Sequence, residues 1–297
     1  MKNTTKLALL TSGISLSYFA YKKISEEMFD HVFKRSDKQE EVKQKYIDWL
    51  KESNTSRVRV NSFDGLKLNA YYVKNHENHR YIILVHGIWS SKVFNYPRAY
   101  EFDKLGYNVL IIDQRSAGDS EGEYYTYGQK ESLDLLLWIN FIIKNDPEAN
   151  ICLYGVSMGA ATVMLSSANK LPDNVKCIVE DCGYSSVQEE FDHYIRKYFK
   201  LQYTKPVLFL LERIMIEKLG MHYYDASPKD ALKSNEIPLL IIHGDKDDFV
   251  PFEMSKKIYN SNLGIKKYYR VPGVEHTEAI LDKNYFVNID DFIKKYI

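Results

Sequence analysis

The nine residues Ile151-Cys152-Leu153-Tyr154-Gly155-Val156-Ser157-Met158-Gly159 narrow what this chain can become more than any others. An apolar run leads into the pattern G-x-S-x-G. A run of small and apolar residues, Ala160-Ala161-Thr162-Val163-Met164-Leu165, follows it. The order reads as strand, sharp turn, helix. At such a corner the serine is forced into a strained backbone conformation and its hydroxyl stands clear of the sheet. The flanking glycines keep side chains away from the neighbouring strand and helix. A serine capping an ordinary helix gives the same five letters. The rest of the chain must therefore supply a base, an acid and a site for a developing oxyanion.

Apolar runs mark the strands around this corner. Arg57 to Phe63 and Leu66 to Val73 read as a hairpin turning at Asp64-Gly65. Tyr81–Val85, Asn108–Ile112, Ile151–Tyr154, Val175–Val179, Pro238–Ile242 and Lys266–Val271 read as six further strands, mostly continuous apolar runs. Helical patterns separate them, over Val93–Leu105, Gly128–Lys144 and Tyr285–Tyr296. The fold class expected is α/β: a mostly parallel eight-stranded sheet with helices on both faces. Function in such sheets collects at the carboxyl ends of the strands. His86, Asp113, Ser157, Asp181, Asp247 and His276 all follow strands there.

Three segments depart from this alternation. Leu7 to Tyr21 is fifteen residues without a charge, bounded by Lys6 and Lys22-Lys23. Residues 1–22 are expected to form an uncleaved signal anchor, with an ordinary hydrophobic helix packing on the domain as the alternative. Lysines lie on both sides, so charge does not fix the orientation or the membrane face. Residues 23–56 read as a helical leader, with an amphipathic helix over 36–53 lying against the core. Within the main domain, 57–297, the stretch from about 184 to 225 is too long for a crossover helix. Its run Val207-Leu208-Phe209-Leu210-Leu211, continuing to Leu219, implies a small helical cap that packs on two sides or lines a cavity.

Composition excludes several classes. Forty Lys plus Arg balance forty Asp plus Glu, which points away from nucleic-acid partners. Cys152, Cys177 and Cys182 make no disulfide framework and no metal-ligand spacing, so neither a metal nor another cofactor is expected.

A serine nucleophile needs a base and an acid that orients the base. His276 follows the last strand, in Gly273-Val274-Glu275-His276-Thr277. Asp247 follows the preceding one, in His243-Gly244-Asp245-Lys246-Asp247-Asp248-Phe249-Val250-Pro251. Ser157, Asp247 and His276 are the expected catalytic residues; Asp245, Asp248 and Asp181 are rival positions for the acid.

From Arg57 to the C-terminus the chain resembles the α/β-hydrolase superfamily, and within it bacterial serine esterase or lipase-like hydrolases with a short helical cap. The resemblance rests on the order Ser157, Asp247, His276 and on the H-G-x-x-D-x-x-V-P match at His243–Pro251. It implies an oxyanion hole made by the backbone amides of Met158 and of Ile88, the latter after His86-Gly87. It also implies a bracing role for Asp113-Gln114-Arg115-Ser116-Ala117-Gly118-Asp119-Ser120. Trp89 is a candidate wall of the substrate pocket, or part of the core. The implied reaction is cleavage of a small-molecule carboxylic ester through an acyl-enzyme, and the apolar cap and the anchor together point to a lipid-like ester. A serine peptidase or an acyltransferase shares the machinery. A non-catalytic membrane-tethered binding protein is the alternative of a different class. Haloalkane dehalogenases and epoxide hydrolases are disfavoured, since they carry aspartate at the corner.

Overall fold

The computed structural model describes residues 23, 26–27, 29–36 and 41–297. The expected anchor at 1–22 lies outside them. Among the described residues no helix is long and apolar enough to cross a membrane.

Eight strands form one sheet: β1 (Thr55–Asn61), β2 (Lys67–Val73), β3 (Arg80–Val85), β4 (Asn108–Ile112), β5 (Asn150–Val156), β6 (Val175–Asp181), β7 (Leu239–Gly244) and β8 (Lys266–Val271). Their spatial order is β1-β2-β4-β3-β5-β6-β7-β8. β1 and β2 pair antiparallel, as do β2 and β4; the other pairs are parallel. β4 and β7 are buried along their whole length, as unbroken apolar runs require. Apolar clusters cover both faces of the sheet.

The helices are α1 (Gln44–Glu52), α2 (Tyr96–Lys104), α3 (Gln129–Asn145), α4 (Met158–Ser166), α5 (Val187–Phe199), α6 (Lys205–Leu219), α7 (Phe252–Ser261) and α8 (Tyr285–Ile293), with a single turn at Pro228–Ala231 between α6 and β7. Two differ from the sequence reading. The helix expected from Val93 is a 3₁₀ turn at Lys92–Asn95 followed by α2, because Pro97 has no N–H to continue the ladder back to Val93. Of the leader helix expected over 36–53, the described part is helical over Gln44–Glu52, and Lys43 before it is extended (ψ 134°).

The strand order reverses around β3: the chain adds β4 on one side of it, then β5 on the other. A crevice opens at such a reversal, beyond the carboxyl ends of the strands. Register then fixes what meets there. Val85 pairs with Gly155, so Gly87 and Ser157, two residues further along each strand, face each other.

A third apolar cluster closes the crevice from above. α5 supplies Val187, Phe191 and Ile195, and α6 supplies Leu208, Met215 and Leu219. Phe29 and Phe33, from a helical stretch within 29–33, are fully buried in it. α6 has apolar residues on every side. Leu208, Met215 and Leu219 are buried, whereas Phe209 and Ile216 face solvent.

Candidate active site

Ser157 stands between β5 and α4 with φ 56° and ψ −118°. A non-glycine residue at positive φ costs on the order of 1–3 kcal/mol and persists only where its surroundings enforce it. The enforcement is visible. The Ser157 N–H donates to Asp181 O (2.8 Å) at the end of β6, and the Ala161 N–H donates to Ser157 O (3.1 Å). A Cβ on Gly155 would collide with the Gly159 carbonyl, and one on Gly159 with the Val85 and His86 carbonyls. G-x-S-x-G is thus a packing requirement of a turn pressed against β3.

Three strand ends converge on this turn. His276 Nε2 lies 2.9 Å from Ser157 Oγ, and His276 Nδ1 lies 2.7 Å from Asp247 Oδ2. Asp247 Oδ1 accepts the backbone N–H groups of Phe249 (3.0 Å) and Val250 (2.9 Å), which fixes the carboxylate's orientation. Burial would raise the Asp247 pKa, but hydrogen bonds from His243 and His276 outweigh it and hold the group at about 2. The carboxylate is therefore ionised at neutral pH and accepts the Nδ1–H. That leaves Nε2 with its lone pair toward the serine hydroxyl. Phe249 tilts over the His276 ring, with centroids 4.9 Å apart.

The rival acids are committed elsewhere. Asp245 pairs with Arg270 (2.7 Å), and Asp248 pairs with Lys197 (2.7 Å). Asp181 is buried and accepts from the hydroxyls of Tyr154 and Tyr285, with Arg98 at 3.7 Å. Cys182, Asp247 and His276 offer ligand atoms within 4.8 Å of one another. The Asp247 and His276 atoms already bond each other, and burial pushes the Cys182 thiol well up, so it stays protonated.

Met158 and Ile88 both line the cavity in front of Ser157. Met158 is the first residue of α4, so its N–H is one of the amides without an intrahelical partner, at the positive end of the helix dipole. The approach of the two loops is close: a Cβ on Gly87 would lie 3.3 Å from Ser157 Cβ. His86 orders this loop. Its Nδ1–H donates to Gly87 O (2.7 Å) and its Nε2 accepts from the Gln114 N–H (3.1 Å). With both ring nitrogens engaged, His86 is a neutral strut.

The loop from Asp113 to Ser120 braces the same region. Asp113 accepts from Lys92 Nζ (2.5 Å) and from the Asp119 N–H (2.9 Å). Arg115 spans Asp134 (2.7 Å) and Asp64 (2.9 Å), and Gly118 takes φ 51°.

The cavity measures about 610 Å³. Trp89, Tyr127, Tyr184, Phe191, Leu211 and Ile214 contribute to a largely apolar wall, together with Val32 and His31 from before the first strand. Three buried polar residues here have no role in the sequence reading. Lys92 holds Asp113. His243, quoted only as part of a motif, lies 3.2 Å from Asp247. Glu190 lines the cavity; the visible signal is a carboxylate on the helix face that also carries Val187, Phe191 and Ile195.

Comparison with known proteins agrees with this architecture. Residues 76–218 match the family model described as serine aminopeptidase, S33. A Bacillus subtilis protein, YqkD, is 26% identical over 273 residues, covering 91% of this chain and 87% of its own. A Saccharomyces cerevisiae protein described as membrane protein YNL320W is 25% identical over 233 residues, 77% of this chain and 76% of its own. Among solved structures, the Pyrococcus furiosus esterase Pf2001 superposes with a TM-score of 0.70 at 22% identity, covering 89% of this chain and 98% of that one. Acetyl xylan esterase 1 from Thermoanaerobacterium gives 0.64 at 16% identity, covering 93% of each. The sheet order and these structural likenesses show that the chain has the α/β-hydrolase fold.

Proposed function

We propose that the protein is a serine hydrolase that cleaves carboxylic esters with an apolar acyl part, through an acyl-enzyme on Ser157. The observation that carries this reading is the relay Asp247–His276–Ser157, at 2.7 and 2.9 Å, opening into a mainly apolar cavity. Ser157 Oγ attacks the ester carbonyl carbon while His276 Nε2 takes its proton. The negative oxygen faces the amides of Ile88 and Met158. The imidazolium, steadied by Asp247, returns the proton to the departing alkoxide, and the alcohol leaves. A water then gives its proton to His276 and attacks the acyl carbon, releasing the acid and restoring Ser157. These steps call on no metal or cofactor.

Fluorophosphonate labelling tests the class: Ser157 is expected to label, and Ser157→Ala to abolish it. A p-nitrophenyl ester series tests the substrate, with turnover expected to peak at about six acyl carbons or more in a cavity of this size. Turnover confined to acetate and propionate would count against an apolar acyl substrate.

The matched family's description supports a second reading, an aminopeptidase. Faster turnover of aminoacyl p-nitroanilides than of any ester would favour it.

We further infer a membrane tether through residues 1–22. Fifteen uncharged residues from Leu7 to Tyr21 support it, as does the description of the yeast relative. Exposed Tyr198, Phe199, Tyr203 and Phe209 around the α5–α6 turn suit an interfacial position. Release of the protein from membranes by alkaline carbonate would rule out a spanning anchor.

A further inference from the structure

Two carboxyl groups line the cavity, and they differ. Glu27 is exposed, whereas Glu190 is 5% exposed. Among the described residues, Glu190 Oε2 has no hydrogen-bond partner and Glu190 enters no ion pair; Lys197, the cation that influences it, is engaged with Asp248. α5 places Glu190 deliberately. Val187, Phe191 and Ile195 recur at helical spacing toward the apolar cluster, and Glu190 and Tyr194, four residues apart, share the cavity wall beside them.

A buried carboxyl without a partner destabilises the fold. Among the described residues nothing satisfies Glu190 Oε2, and Glu190 lines the cavity that also holds Ser157. Burial first, and the nearby charge of Asp247 second, push its pKa well up, with only Lys197 opposing. Burial favours the neutral form of Glu190, which has one O–H to donate and one C=O to accept. Its complement is an uncharged oxygen group. An ammonium would require the ionised form that the site disfavours.

We propose that Glu190 is a specificity-determining residue, which hydrogen-bonds a ketone or hydroxyl oxygen carried on the otherwise apolar part of the substrate. The inference deepens the ester reading above and rests on it for the substrate class. Preferred substrates are then oxygenated acyl esters rather than plain alkyl ones.

The test measures binding in a chain that cannot turn over, so it is independent of catalysis. The full-length Ser157→Ala protein is titrated calorimetrically with ethyl octanoate, with its 4-, 5-, 6- and 7-oxo derivatives, and with ethyl 8-aminooctanoate. At least one oxo ester is expected to bind about tenfold tighter than ethyl octanoate, or better, because a site built to bond an oxygen penalises the analogue lacking it. Adding Glu190→Gln, which keeps a donor, is expected to retain the preference, and adding Glu190→Leu to reduce it to within about twofold. Glu190→Leu is also expected to raise the melting temperature, since it removes an unsatisfied buried group. The proposal is overturned by equal affinities across the series, by a preference that survives Glu190→Leu, or by tightest binding of the amino ester. A Glu190→Leu chain that melts below its parent, or fails to fold, assigns the residue a structural role and overturns it as well. Failure of the ester reading itself appears separately, as the absence of fluorophosphonate labelling at Ser157.

Discussion

His243 Nε2 lies 3.2 Å from Asp247 Oδ2, the oxygen that also meets His276 Nδ1 at 2.7 Å. His243 is fully buried and also meets Val250 O at 2.9 Å. It therefore stiffens the loop that carries the acid and adds to the pull that keeps Asp247 ionised. Loss of His243 leaves the two amide hydrogen bonds to Asp247 in place. His243→Asn is expected to lower kcat on p-nitrophenyl hexanoate roughly tenfold, with little change in KM, as expected for a residue that acts through another. Asp247→Asn reverses the hydrogen-bond preference at His276 Nδ1 and is expected to cost on the order of 10³–10⁴ in kcat, the scale seen for this change in serine proteases. Steady-state kinetics separate the two, and equal losses would refute the division of roles.

Glu180 lies beneath the same site, fully buried on β6. Its Oε2 accepts the Gly183 N–H (2.9 Å), and its Oε1 has no partner among the described residues. Burial raises its pKa from 4.5 to about 8, against the opposing influence of His243. The sign of the pH effect follows. Between pH 4.5 and 8 the folded chain holds a proton that the unfolded chain has released. The contribution to stability is complete below about pH 4.5 and is lost as pH rises through about 8. Glu180→Gln titrates in neither state. Its melting temperature relative to the parent is expected to climb from pH 5 to pH 8 and then level off. Calorimetry at four pH values checks this, and a constant difference would contradict it.

Much of this arrangement is legible without coordinates, and the reason is physical. Strands buried on both faces must be continuously apolar, so the five central strands, β3 to β7, announce themselves as runs. Parallel connections then carry every strand's carboxyl end to one edge, which is why Ser157, Asp247 and His276 meet although 119 and 29 residues separate their bonded pairs. The residues that escape notice act across distances that no local pattern encodes. Phe29 and Phe33 sit in a heavily charged segment, and their burial depends on Tyr124, Tyr127 and Phe191 far along the chain. Glu190 looks like one more acid in the first turns of a helix, until the packing around it shows an apolar wall.

The glycines of the serine corner make a sharper prediction than the serine does. Gly159→Ala would press a methyl group onto the Val85 and His86 carbonyls, and Gly155→Ala onto the Gly159 carbonyl. Backbone on both sides is held in the sheet and the helix, so neither can yield cheaply. Both variants are expected to lose fluorophosphonate labelling and to melt well below the parent. Gly273→Ala is the control: it has positive φ (76°) but open space around it, and it is expected to cost only about 1 kcal/mol from strain. Comparable losses at all three positions would remove the steric explanation.

Residues 29–36 form part of the cavity wall. Phe33 stacks on Phe29 (4.4 Å between centroids) and meets Tyr127 and Phe191 edge-on at 5.1 and 5.7 Å. The backbone is pinned as well: the Tyr125 N–H donates to Phe33 O (2.7 Å), Tyr127 Oη to Val32 O (3.2 Å), and Arg35 Nη1 to Ser120 O (2.7 Å). Phe33→Ala empties a fully buried position and is expected to cost about 3–5 kcal/mol. Phe33→Leu keeps most of the volume and is expected to cost less than about 1.5 kcal/mol. Because the segment touches the cavity rather than the triad, KM for octanoyl esters is expected to rise severalfold in Phe33→Ala while kcat changes little. Denaturant melts and kinetics on the same preparations provide the check. A Phe33→Ala chain as stable as its parent, with unchanged KM, would mean that this segment does not close the cavity in solution.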